Sequence, residues 1–487
     1  MKSPSASTTA AVPGAEDSPD PGRWKTLAVI LAAAFIVALN FFVVNVSIPS
    51  IRANLHATFG EIQLVIAGYA LTYSVFLISG GRLGDIYGRK RMFMLGVTAF
   101  TTTSLLCGLA PSPVFLIAAR VLQGISSALV FPQVLAIIQI TFPPSERAKA
   151  FGMFGTVIGT SSFAGNVLGG LLVSANILGL SWRPIFLINL PVGLLTLMAA
   201  ARIVKESRSP KAGRLDLGGV AILTLALTLL LYPLIQGRES GWPAWAFASL
   251  AAFVPMLIVF VQYEKRVTAR GGSPLVELDL FHDRVFVIGL FSAMCFFSAV
   301  SAFFLISTIF LQNGLGYSPR DAGLTFAWFA VAFLGSSLAS VRIQPKLGSR
   351  IINLGAALMI TGLTSLLFLT AWRGSSLGGL ELAPVLLIYG AGQGFAMPTL
   401  VSTILINIKG HDAGSASGVL TTVQQASFAT GVAVIGTVFF SVLGKMTSPE
   451  AFIHALRAAF FVNIGLLIVN FVLILQIPRF PARDGVR

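Results

Sequence analysis

The chain has 487 residues, of which 55% are hydrophobic and 10% are charged, and its formal net charge is +15. Because soluble proteins carry about 25% charged residues, this composition excludes a large soluble protein. Apolar stretches of about 20 residues, the length that crosses a bilayer, recur along the chain and predict a membrane protein with many spans.

The chain begins with a polar segment, residues 1–25, that is rich in Ser, Ala and Pro. It contains no apolar stretch, so it is not typical of a cleavable signal peptide. Its composition predicts a disordered tail, and a shorter tail is expected at residues 478–487.

Fourteen apolar segments lie between the two tails. All of them are expected to be helices, because a backbone in lipid must satisfy its own hydrogen bonds. The predicted spans are 26–49, 62–81, 92–110, 113–139, 150–174, 184–201, 215–236, 244–263, 285–311, 321–341, 351–371, 382–406, 414–443 and 455–477. The fold class predicted is therefore an all-α membrane protein.

Lys and Arg are distributed unevenly over the two sides that these spans define. With the N-terminus inside, the inner segments carry 25 of them and the outer segments carry 7. Such a bias predicts the plasma (inner) membrane with both termini in the cytoplasm. It also assigns the basic charge to topology and lipid headgroups, and not to nucleic acid.

The two longest inner connections divide the spans into two sets of six. A basic turn follows the second span of each set, in "GGRLGDIYGRKRMFMLG" and "VRIQPKLGSRIINLGAAL". Paired six-helix repeats are typical of transporters, whose substrate cavity lies between the repeats near the midplane. We predict an N-terminal bundle, a linker with two inserted spans and a C-terminal bundle, at 26–201, 202–284 (spans 215–236 and 244–263) and 285–477.

The first basic turn, 81–91, has a physical interpretation of its own. Gly84 and Gly88 permit a tight turn, and Asp85 is the single acid among four basic residues. Asp85 can pair with these or cap the next helix. The candidate gating residues are Gly81, Gly84, Asp85, Gly88, Arg89, Lys90 and Arg91; the alternative is a charged turn that only sets topology.

Arg120 is the one charge well inside a predicted span, where charges are costly and usually functional. Gln123 shares its helical face. At 1.5 Å per residue, Arg120 lies at a depth similar to that of Asn40 in the first span. If the first and fourth spans line the same cavity, the two are expected to bond directly or through water. We predict that these residues line a substrate cavity; the alternative is a guanidinium held by carbonyls or amides for folding only.

Four other amides in the spans are candidates for the same cavity. They are Asn166, Gln393, Gln424 and Gln425. For each of them, a hydrogen bond between packed helices is an equally good interpretation.

Four motifs together resemble one known family. "GRLGDIYGRKR" (81–91), "RVLQG" (120–124), "GNVLGG" (165–170) and "WRPIFLINLPVG" (182–193) are similar to motifs of the fourteen-helix drug:proton antiporter branch of the major facilitator superfamily. The resemblance covers about residues 26–477. It implies two six-helix bundles plus two inserted helices, multidrug efflux, and a latch at 81–91 that shifts as the transporter alternates.

The chain departs from this family pattern at its antiport motifs. Asn40 stands where the family carries Asp, and Asn166 replaces a Pro in the fifth span. No acid lies well inside a predicted span, Asn cannot titrate, and Arg is effectively always protonated. Proton coupling therefore stays open, with Glu61 and Asp321 at span ends as candidates.

The function predicted is a secondary carrier that exports small organic or drug-like molecules by alternating access. Two alternatives stay open: an uncoupled facilitator or organic-anion carrier that uses Arg120, and a non-transporting membrane sensor or scaffold. No nucleophile elbow, Walker loop or metal-ligand cluster is present, so neither an enzyme, a cofactor nor a metal site is expected. The partners expected are a small-molecule substrate and the bilayer, with protons open, and the chain is expected to be a monomer.

Overall fold

The structure, a computed structural model, describes residues 21–57, 59–209, 216–237, 240–272, 274–409, 412–444, 446 and 448–477. The two predicted tails fall almost wholly outside this part of the chain. Every regular element among the described residues is a helix, as the composition predicts.

Seven α-helices precede the long inner linker. They are α1 (Arg23–Leu55), α2 (Phe59–Tyr87), α3 (Arg89–Gly108), α4 (Pro113–Thr141), α5 (Pro144–Ala175), α6 (Pro184–Leu187) and α7 (Asn189–Ile203). The predicted span 184–201 is thus interrupted, because Pro191 has no N–H to bond the Leu187 carbonyl.

Nine α-helices follow the linker. They are α8 (Leu217–Gln236), α9 (Ala244–Ala269), α10 (Arg284–Ile309), α11 (Pro319–Thr325), α12 (Ala327–Leu347), α13 (Arg350–Arg373), α14 (Gly379–Ile404), α15 (Ala413–Leu443) and α16 (Pro449–Leu475). The predicted span 321–341 is also interrupted, at Phe326 between α11 and α12.

Side chains just before several helices set where these helices begin. Ser112 accepts a hydrogen bond from the Phe115 N–H ahead of α4, and Ser448 accepts one from the Ala451 N–H ahead of α16. Asp283 caps α10 through the N–H groups of Val285 and Phe286. These caps satisfy donors that the first helical turn leaves open.

Twelve segments of the described residues are long and apolar enough to cross a membrane. They include each predicted span except 92–110 and 150–174, which correspond to α3 and α5. Both helices contain many Gly, Ser and Thr residues, and α3 opens with the basic residues 89–91.

The helices pack into two groups, which contact each other directly, and an inserted pair. Helices α1–α7, here called the N-half, pack against one another, as do α10–α16, here called the C-half. The inserted pair α8 and α9 packs on α2 of the N-half and α15 of the C-half through α8. We call the end of the molecule that carries residues 81–91 the basic end.

Close contact between α2 and α4 places the functional residues of the N-half. A side chain on Gly80 would overlap the Ala128 carbonyl, and one on Gly124 would overlap the Tyr69 carbonyl. Small residues at these positions let the two backbones touch. Gly124 belongs to the "RVLQG" motif, so this motif positions Arg120 against α2.

Candidate functional site

Arg120 projects from α4 into the interior of the N-half, where it is 1% exposed. Its Nη1 donates to Asn40 Oδ1 at 3.1 Å and to Gln123 Oε1 at 2.8 Å. Its Nε donates to the Val65 carbonyl at 3.1 Å. The structure therefore brings Asn40, Arg120 and Gln123 together and joins them directly. The sequence indicated this through the similar depth of Asn40 and Arg120 and the shared helical face of Arg120 and Gln123.

A polar chain continues from Gln123 into α3 and α7. Gln123 Nε2 donates to Ser104 Oγ at 2.8 Å, and Asn189 Nδ2 donates to the same oxygen at 3.3 Å. All three residues are fully buried. The sequence analysis missed Ser104 and Asn189, although Asn189 lies inside the "WRPIFLINLPVG" motif.

Tyr69 covers the other side of the guanidinium. The Arg120 Cζ atom lies 4.0 Å from the centre of the Tyr69 ring, a cation–π contact. The Tyr69 hydroxyl lies 3.0 Å from Ser127 Oγ and 3.4 Å from the Val37 carbonyl oxygen. A tyrosine in an apolar span was the signal for this residue, and the sequence analysis did not use it.

These residues form what we call the Arg120 cluster: Asn40, Tyr69, Ser104, Arg120 and Gln123. The cluster holds one formal positive charge and no acid, so its acceptors are amide, hydroxyl and carbonyl oxygens. Asn40 Nδ2 is buried and has no hydrogen-bond partner in the part of the chain that the structure describes. A buried donor beside an uncompensated guanidinium favours an incoming acceptor or anion.

The cluster is closed to solvent in this conformation. Asn40 and Gln123 are fully buried, like Arg120. A ligand can reach them only after α1, α2 or α4 moves.

The other candidate amides lie elsewhere. Gln393 is buried on α14, with Oε1 lacking a partner, and Gln424 is buried on α15 beside the half-buried Gln425. Among the described residues, no hydrogen bond joins them to the Arg120 cluster. Asn166 lies in α5, and its side chain is outside the described part of the chain.

The candidate gating segment differs from the predicted loop. Helix α2 continues through Tyr87, so Gly81, Gly84 and Asp85 are helical. The expectation that Gly84 permits a turn is wrong, because Gly84 makes room for the Gln133 side chain of α4. Gly88 alone makes the turn, with φ at +107°, a conformation that glycine adopts readily.

Asp85 sits at the contact between the two halves and is fully buried. Its Oδ1 accepts from Arg89 Nη2 at 2.6 Å, an ion pair within the N-half. A side chain on Gly414 would overlap the same carboxylate, and the Ser415 N–H faces it. The Asp85 carboxylate therefore lies at the positive N-terminal end of α15, a helix of the C-half.

The helix that follows the turn, α3, is capped from the linker and not by Asp85. Glu206 accepts hydrogen bonds from the N–H groups of Lys90 and Arg91, each at 3.1 Å. The Arg89 N–H donates to the Ser207 carbonyl at 2.8 Å. The linker thus covers the gating segment, an arrangement the sequence analysis did not predict.

Two further contacts join the halves. Gln139 Nε2 donates to the Leu405 and Ile408 carbonyls at 2.9 and 3.1 Å, at the C-terminal end of α14. Thr156 Oγ1 of α5 lies 2.6 Å from Ser337 Oγ of α12. Together with Asp85 against α15, these are the cross-half contacts, and they run from the basic end towards the middle.

Two helical halves that close on each other at one end, around the buried Asp85 carboxylate, define a membrane transporter of the alternating-access kind. The chain belongs to the Major Facilitator Superfamily, whose sequence profile matches residues 30–432.

Relatives support this assignment over almost the whole chain. The probable actinorhodin transporter of Streptomyces coelicolor is 41% identical over 437 residues, which cover 90% of this chain and 76% of that protein. The puromycin resistance protein pur8 of Streptomyces alboniger is 34% identical, covering 93% and 91%. The tetracenomycin C resistance and export protein of Streptomyces glaucescens is 31% identical, covering 87% and 77%.

Two solved structures have the same fold. The human organic anion transporter MFSD10 (TETRAN) superposes with a TM-score of 0.66 at 16% identity, covering 93% of this chain and 100% of that chain. The proton:xylose symporter XylE has a TM-score of 0.64 at 14% identity, covering 94% and 97%.

Proposed function

We propose that this protein exports small organic, drug-like molecules across the plasma membrane by alternating access. The cross-half contacts carry the proposal, because they connect the two halves from the basic end towards the middle and must break for the basic end to open. The relatives named for antibiotic resistance and export support small organic molecules as the substrate class.

We propose fourteen spans, with α3 and α5 added to the twelve more apolar segments. Helix α3 has 20 residues and α5 has 32, and 20 residues at 1.5 Å each reach about 30 Å, the hydrocarbon thickness. Both pack against other helices of the bundle, where Gly, Ser and Thr favour close contact. Their lower hydropathy therefore suits an interior position.

We further propose that the basic end faces the cytoplasm of an inner membrane, with both termini there and the chain a monomer. The 25 to 7 distribution of Lys and Arg supports this orientation. The domain division at 26–201, 202–284 and 285–477 follows the packing of the N-half, the inserted pair and the C-half.

Asp85→Asn tests transport against a scaffold role. The substituted side chain keeps its shape but loses the negative charge that faces the N-terminal end of α15. We therefore expect the protein to fold and its transport of substrate to fall strongly. Flux of a fluorescent drug-like probe into inside-out vesicles is the measurement. Asp279→Asn, at an acid whose side chain is 97% exposed, is the matched control and keeps normal flux. Absence of flux in the wild type would favour the sensor or scaffold.

The Arg120 cluster favours a second candidate within transport, an organic-anion carrier or uncoupled facilitator. The observation behind it is a buried guanidinium with no acid among its partners. A thermal-shift screen of cationic, neutral and anionic amphipathic compounds distinguishes an organic-anion carrier from an exporter of other drug-like molecules. Arg120→Met is the control. Anions that stabilise only the wild type support a substrate site at Arg120, whereas cations that stabilise both proteins equally contradict it.

A further inference from the structure

Two acids at the basic end of the inserted helices do not take part in any contact described so far. Asp216 is the N-cap of α8, and Glu264 lies in the last turns of α9. Glu264 is fully buried, although sequence reasoning placed it at a span end. A buried carboxylate requires hydrogen bonds or a compensating charge.

Each carboxyl group uses one oxygen for structural hydrogen bonds. Asp216 Oδ1 accepts from the Gly219 N–H at 3.0 Å and from the Tyr263 hydroxyl at 2.9 Å. Glu264 Oε2 accepts from the Val276 N–H at 3.4 Å, in the segment that follows α9. Both groups are therefore held in place at one oxygen.

The remaining oxygens both border the space beside Gly219. Asp216 Oδ2 and Glu264 Oε1 are both buried and have no hydrogen-bond partner among the described residues. A side chain on Gly219 would overlap both of them, so the missing Cβ of this glycine leaves the space in which they meet. Two carboxylates in one such space cannot both ionise at low cost, because their negative charges repel in a region with little water.

We propose that Asp216 and Glu264 form a proton-binding site. One proton from water binds Glu264 Oε1 and is shared with Asp216 Oδ2, so the net charge of the pair changes from −2 to −1. Its release to water restores two carboxylates. A proton suits this space better than a metal ion, since the described residues contain no group of three His, Cys, Asp or Glu side chains that could hold one.

The described surroundings connect this pair to the gating segment. The charged or titratable groups around it are Arg82 of α2, Tyr263 of α9, Arg270 directly after α9, and Glu277. Arg82 Nη1 lies 3.7 Å from Glu277 Oε1, while its Nε and Nη2 atoms are buried without partners.

Arg82 lies one helical turn before Asp85, so the charge of the pair acts next to the cross-half contacts. The ionised pair attracts Arg82 and holds α2 against α8, which also packs on α15. Protonation weakens this attraction. The basic end is therefore held closed more firmly when the pair is ionised. This gating role rests on the proposed transport function, whereas the proton site itself does not.

Infrared titration of the purified full chain in lipid tests the proton site. The wild type is expected to show the carbonyl stretch of a protonated carboxyl group at neutral pH. Glu264→Gln and Asp216→Asn are each expected to lose it, and Asp279→Asn to keep it. Gly219→Ala retains both acids but separates them, and it is also expected to lose the band. A Glu264→Gln spectrum identical to that of the wild type would overturn the proposal.

Disulfide formation between Thr156→Cys and Ser337→Cys reports closure, because the two native hydroxyl oxygens lie 2.6 Å apart. Thiol chemistry itself accelerates with pH, so the readout is the ratio of the rate to that of the same pair in a Glu264→Gln background. We expect a ratio near one at about pH 5 that rises several-fold by about pH 8, within the tenfold per pH unit that one proton allows.

A ratio that stays constant over this range overturns the gating role. The infrared result does not depend on the gating role, so a protein that transports no substrate can still show the proton site. A protein that transports but shows no Glu264-dependent band refutes the proton site and leaves the transport function intact.

Discussion

Asn40→Asp tests the candidate site most directly. It replaces the neutral amide, whose Oδ1 accepts from Arg120 Nη1 at 3.1 Å, with a carboxylate of the same shape. No hydrogen bond of the amide nitrogen is lost, because Asn40 Nδ2 is buried without a partner. The substitution therefore adds one titratable negative charge opposite a buried guanidinium and changes little else.

Two opposing free energies decide whether this variant folds. Unit charges about 4 Å apart attract by about 4 kcal/mol at an effective dielectric constant of about 20. Burying a carboxylate costs several kcal/mol. Because the cost of burying Arg120 is already met in the wild type, we expect the free energy of unfolding to stay within about 2 kcal/mol of the wild-type value.

Transport should change more than stability. A carboxylate opposite Arg120 can take up and release one proton per cycle, so the flux is expected to depend on a pH gradient across the membrane. One proton allows at most about tenfold per pH unit. The assay is flux into proteoliposomes with and without a gradient, made in a Glu264→Gln background to remove the contribution of the carboxyl pair.

Asn40→Leu is the control for this experiment. It removes the acceptor from Arg120 without adding a charge, so it should lose about 1.5–3 kcal/mol of stability and acquire no gradient dependence. The reasoning fails if flux through the unsubstituted Asn40 protein is as strongly gradient-driven as flux through Asn40→Asp. It also fails if Asn40→Asp is less stable than Asn40→Leu.

Three further substitutions test contacts at the basic end and between the two halves. Gln139→Leu removes two hydrogen bonds, so the closed basic end should lose about 2 kcal/mol, seen as faster hydrogen exchange at residues 405–409. Gly159→Val places a side chain where Phe333 lies, so flux should fall at least tenfold while the protein still inserts. Glu206→Gln weakens the cap of α3 by about 1 kcal/mol, measured as a lower unfolding temperature; an unchanged value would show that the linker contributes no stability there.

The sequence predicted the helices well, because an apolar stretch in a bilayer has few alternatives to a helix. It also placed Asn40 at the depth of Arg120, since helical rise is regular. It missed Ser104 and Asn189 because their hydrogen bonds join different helices, and spacing within one helix says nothing about such partners.

The errors have the same origin. Gly84 reads as a turn residue by its own propensity, but packing against Gln133 decides its conformation. Glu264 directly follows the predicted span 244–263, a position that gives no sign of burial, but the segment around Val276 folds back over it. In both cases a tertiary contact overrides local preference, and a single sequence does not carry this information.

The linker after α7 has a mechanical consequence. Glu206 and Ser207 bond the first residues of α3, and the Ser209 N–H donates to the Asp85 carbonyl at 3.0 Å. The linker is thus bound to the N-half as far as Ser209, beside the contact that Asp85 makes with α15. This part of the linker must therefore move together with the N-half whenever the basic end opens.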